Sequence, residues 1–104
     1  INVRELENYV LYQIASIRQT HNDAGKNIDI IQKECETLFS LTNSVVNVSK
    51  HPLFLQAHVF AGYCLNKQTA VAKHRRQLAL MNVPMPLYFT NINKELINDN
   101  TTEL

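Results

Sequence analysis

The stretch Leu53–Leu65, LFLQAHVFAGYCL, contains only two clearly polar residues, Gln56 and His58. As a helix it is apolar almost all round and has no face to offer to water. It is also too short to cross a bilayer. A chain carrying it must wrap other elements around it, and 104 residues suffice for one modest core of that kind. Strand-rich domains need turn residues about every ten positions. With 2 glycines and 3 prolines in the whole chain, the surrounding elements are expected to be helices.

The apolar spacing agrees. Val3, Leu6, Val10, Ile14 and Ile17 recur every three or four residues, which predicts a first helix near 3–20. Asn2 and Glu5 stand at capping-box spacing ahead of it. Gly25 sits in the polar loop that follows. Ile28, Ile31, Cys35, Leu38, Leu41, Val45 and Val48 predict a second helix over about 28–48, started at Asn27. His51 precedes a proline and Pro52 suits a first helical turn, so a third helix is expected over about 52–66. A fourth, capped by Thr69, is expected over 70–82, unless it is continuous with the third. Pro84 and Pro86 stop it. Leu87, Tyr88, Ile92 and Leu96 support one short fifth helix, and residues 98–104 read as a flexible tail. The expected fold is all-α, an antiparallel four-helix bundle over 1–97 with a possible short fifth helix.

Cys35 and Cys64 lie at similar distances on either side of the turn at Ser49-Lys50. In an antiparallel hairpin both therefore reach a similar level, which makes them neighbours between the second and third helices. Buried thiols packed as small hydrophobes are the expected state, with a disulfide as the alternative in an oxidising compartment. Their spacing matches no zinc pattern, and no metal or other cofactor is expected. No charged-then-apolar leader opens the sequence, so a cytoplasmic location is the default expectation.

The formal net charge of +1 hides an uneven distribution. Residues 37–94 contain no Asp or Glu, yet they carry Lys50, Lys67, Lys73, Arg75, Arg76 and Lys94. Lys73-His74-Arg75-Arg76 spans more than half a helical turn, so part of it faces solvent. Either carboxylates such as Glu5, Glu7, Asp29, Glu34 and Glu36 neutralise these cations across the bundle, or the cations form a patch for an acidic partner, a phosphate or a nucleic acid. A sequence pI near 8.0 is mild for a nucleic-acid binder.

Around His58, the segment Ala57-His58-Val59-Phe60-Ala61-Gly62 superficially resembles the phosphoacceptor site of histidine phosphotransfer domains, with Gly four residues after His. That resemblance implies a surface His58. The family places Lys three residues after its His, and here that position is Ala61. Val59 and Phe60 are apolar, so the residues themselves favour a core histidine with Gly62 serving close helix approach. Tyr63, Ala72, Ala79, Leu80 and Pro84 fall at spacings similar to those of a tetratricopeptide repeat, a peptide-recognising helical hairpin, but no second copy is present. Thr102-Glu103-Leu104 is similar to a class I PDZ ligand.

No phosphate-binding glycine loop, nucleophile elbow or paired-carboxylate spacing is present, so the chain is not expected to be an enzyme. The expected function is that of an adaptor or regulatory domain binding a protein partner with an acidic surface. The expected binding residues are Lys67, Lys73, Arg75, Arg76, Met85 and Tyr88, from the fourth helix and the Met81–Phe89 segment. Nucleic-acid binding through Lys67, Lys73, Arg75 and Arg76 is the alternative.

Overall fold

A computed structural model describes residues 2–25 and 27–102, with side chains described as far as Ile97. Five helices follow one another: α1 (Val3–Asn22), α2 (Ile28–Asn43), α3 (Pro52–Cys64), α4 (Ala72–Leu80) and α5 (Leu87–Thr102). They pack as a compact all-helical bundle in which α3 touches each of the other four. Phe54, Leu55, Ala57, Val59, Phe60, Ala61 and Cys64 of α3 are all buried, as a helix without a wet face requires.

Side-chain contacts give the directions. Phe39 and Thr42 meet His58 while Cys35 meets Cys64, so α2 and α3 are antiparallel. His58 meets His74 and Gly62 meets Val71, so α4 turns back along α3. Phe60 stacks on Phe89 at 4.1 Å, and Asn93 donates to the Phe60 carbonyl at 3.1 Å and to Cys64 Sγ at 3.2 Å. Position numbers on the two helices rise together, so α5 runs parallel to α3. The two cysteines are free and buried, and the Cys64 thiol is pushed up by its hydrogen bond with Cys35, then by burial.

Local chemistry sets the helix ends. Asn2 Oδ1 accepts from the amides of Arg4 and Glu5, and Asn27 Oδ1 from those of Asp29 and Ile30. The Glu5 carboxylate accepts from the Tyr9 hydroxyl instead of completing the expected capping box. His51 caps α3 through Nδ1, which accepts from Leu53 N–H at 3.2 Å, while its Nε2 lies 3.3 Å from Glu7. Both α3 and α4 end in the same motif. Asn66 (φ 58°) and Asn82 (φ 57°) take left-handed backbone. Lys67 N–H reaches back to the Gly62 carbonyl, and Val83 N–H to the Leu78 carbonyl. Asparagine tolerates that conformation better than most L-residues.

Several boundaries differ from expectation. α2 stops at Asn43, and residues 44–48 continue as turns. The Thr42 hydroxyl bonds back to the Leu38 carbonyl at 3.0 Å, a contact that loosens helices locally. Thr69 does not cap α4: the N-cap is Val71, which has no capping side chain. The third and fourth helices are separate. The fifth is not short, because α5 carries helical backbone to Thr102. The expected flexible tail at 98–104 thus falls on the end of α5 and on Glu103 and Leu104. Those two residues, and with them the PDZ-like ending, lie outside the described residues. No helix among the described residues is long and apolar enough to cross a membrane.

Candidate functional site

His58 is 2% exposed, so it presents no nitrogen to an incoming phosphoryl group, and the phosphotransfer reading is withdrawn. Its ring stacks on Phe39 at 4.4 Å and meets His74 edge-on at 5.2 Å. Nδ1 lies 2.8 Å from Thr42 Oγ1. With the Thr42 proton directed at the Leu38 carbonyl, the His58 Nδ1–H donates to Oγ1 and the polar cluster closes. Burial, reinforced by the neighbouring His74, lowers the His58 pKa to about 4.

His74 is also buried, at 6% exposure, and its pKa is lowered by burial and then by Lys73. With Leu78, Val71 and the half-buried Met81 it forms the inward stripe of α4. This stripe orients the helix. Lys73, Arg75, Arg76, Ala79 and Leu80 are consequently exposed. Ala72, Arg75, Arg76 and Ala79, at helical i, i+3, i+4 and i+7 positions, form one wall of a groove of about 540 Å³. Tyr63 at the end of α3 and Gln68 and Thr69 in the following turn complete it. The Arg75 guanidinium donates to the Tyr63 hydroxyl at 2.5 Å, which fixes one side of the groove.

Three of the five carboxylates offered by the sequence as neutralisers, Glu5, Glu7 and Glu34, are engaged elsewhere, as is Glu95. Glu5 accepts from Tyr9, Glu7 meets His51, Glu34 accepts from Ser16, and Glu95 lies 2.6 Å from His21. Among the described residues, no carboxylate pairs with Lys67, Lys73, Arg75 or Arg76.

Of the six expected binding residues, the structure gathers only Arg75 and Arg76 at the groove. Lys67 is exposed, with Nζ 4.9 Å from the Phe39 ring centroid, and Lys73 is exposed beside His74. Met85 is half-buried against the core. Tyr88 lies under the Arg18 guanidinium at 4.0 Å and edge-on to Phe89 at 4.7 Å, so α1 and the core already occupy its ring. The Met81–Phe89 segment mostly packs back on the bundle, with Gln56 donating to the Pro84 carbonyl at 2.9 Å. What it leaves outside is Asn82, Pro84 and Leu87, the last 74% exposed; Leu80, just before the segment, is 80% exposed.

Sequence reasoning missed the groove positions Gln68 and Thr69. The spacing of Ala72 and Ala79 around the two arginines was the available signal for that wall. Among the described residues, no group of three or more His, Cys, Asp or Glu side chains is placed to hold a metal ion. No protein-family model, curated protein or solved structure matches the chain.

Proposed function

We propose that this chain is a non-enzymatic interaction domain that docks an acidic protein surface onto the outer face of α4. The observation that supports this reading is the pair of guanidinium groups, Arg75 and Arg76, beside a groove and without a carboxylate partner among the described residues. Cations left unneutralised attract an acidic partner and steer its approach. Leu80 lies one turn beyond Arg76, and with Leu87 it supplies exposed apolar surface of the kind that interfaces bury. Only two basic groups, Arg75 and Arg76, line the groove, both on one helix of 9 residues. A nucleic-acid backbone is better matched by an extended track of cations.

Fluorescence anisotropy with a labelled glutamate-rich peptide tests the reading. The Arg75→Gln/Arg76→Gln double variant should bind at least about tenfold more weakly, the loss expected from one or two charge-assisted contacts. Its thermal unfolding should stay close to that of the parent, since both side chains are exposed. Equal binding by the variant would overturn the proposal. So would tighter binding of a duplex DNA of matched charge with a steep salt dependence, which would favour the nucleic-acid alternative.

A further inference from the structure

The lining of the groove beside α4 is mostly apolar, but its polar side chains are all of one kind. Each polar side chain there has a proton to give: the guanidinium groups of Arg75 and Arg76, the Gln68 amide, and the Thr69 and Tyr63 hydroxyls. The Tyr63 oxygen already accepts from Arg75, which leaves its O–H free to donate. No lining residue carries a carboxylate. α4 begins at the same place, at Ala72, so the positive end of its dipole lies at the groove, with the Ala72 and His74 amides already bonded to the Thr69 and Val71 carbonyls.

A groove with two guanidinium groups and no acceptor carboxylate fits an anion with more charge and more acceptor atoms than one carboxylate supplies. A phosphorylated side chain carries nearly two negative charges at neutral pH and three acceptor oxygens. Guanidinium forks match that geometry in pairs of parallel hydrogen bonds. The small side chains of Ala72 and Ala79 leave apolar wall on which residues flanking the phosphorylated position can lie. Resting on the acidic-partner reading above, we propose that the group this groove takes is a phosphoryl group, so that the domain recognises a phosphorylated peptide segment of its partner.

Three labelled peptides of one sequence test this, differing only in a central phosphoserine, glutamate or serine. The phosphopeptide should bind about tenfold more tightly than the glutamate peptide. Arg76→Gln should weaken the phosphopeptide about tenfold, and Arg76→Lys should not restore it, because an ammonium group lacks the planar fork. Arg76 is the better probe because Arg75 also anchors Tyr63. Equal affinity for the phosphoserine and glutamate peptides would overturn this inference and leave the acidic-partner reading standing. Binding of neither would overturn both. Phosphopeptide binding that survives Arg76→Gln would put the anion elsewhere and overturn the assignment of the groove.

Discussion

Lowering the pH from 7 to 4 is expected to remove about 3 kcal/mol of folding stability through His58 alone. The folded-state pKa of His58 is lowered from 6.5 to about 4 by burial and by His74. Between those two values the unfolded chain binds a proton that the folded chain refuses, so stability rises with pH across that window. The contribution is fully present above pH 6.5 and is lost as pH falls towards 4. His74, lowered by burial and by Lys73, acts in the same direction. Protonation would set a charge among Phe39, Thr42 and the His74 ring, at the contact that seats α4 on α3. Urea unfolding at pH 7, 5.5 and 4 measures the loss. His58→Phe, which keeps a ring against Phe39, should flatten the curve by most of that amount. Wild type and variant losing the same stability over this range would contradict the assignment.

The second large effect concerns Gly62. A Cβ added there would lie 2.5 Å from Val71 Cγ1 and 3.1 Å from Cγ2, with the Val71 Cβ at 3.4 Å. The Cβ distance is ordinary contact, but both methyl groups must give way, and Val71 is fully buried. Gly62→Ala is therefore expected to destabilise by about 1–3 kcal/mol through overpacking. Alanine's better helix propensity offsets only about 1 kcal/mol of this. Adding Val71→Ala should recover part of the loss, because it removes the two methyl groups that clash. The check is a thermodynamic cycle of the two single variants and the double. A Gly62→Ala protein as stable as the parent would show that α3 and the 67–71 turn are less tightly joined than the geometry requires.

The architecture was readable where one force dominated. An all-round apolar α3 has no option but the centre, and it took His58 and Gly62 inward with it. The equidistance of Cys35 and Cys64 from the Ser49-Lys50 turn was enough to bring them together, because an antiparallel hairpin leaves the register little freedom. Helix ends were harder to read. The expected stripe of α2 ran on through Val45 and Val48, but the backbone changes to turns after Asn43, which carries Val46 inward and leaves Val48 exposed. Within the basic run, the sequence left open which residues face solvent. The alignment of His74 with Val71 and Leu78 was the signal that it points inward. Met85 and Tyr88 were legible as adaptable apolar residues, but composition carries no information on which of them the bundle covers. Leu80 and Leu87 are the ones left outside.

The proposed function requires the outer face of α4 to be open to an acidic partner. The most direct measurement is a map of backbone amide shifts while an unlabelled glutamate-rich peptide is titrated into the whole chain. Shifts concentrated at Tyr63, Thr69, Ala72, Arg75, Arg76 and Ala79, weakening as salt is added, are the predicted result. Shifts centred on Lys50 and Lys94, or none at any of the groove positions, would contradict it.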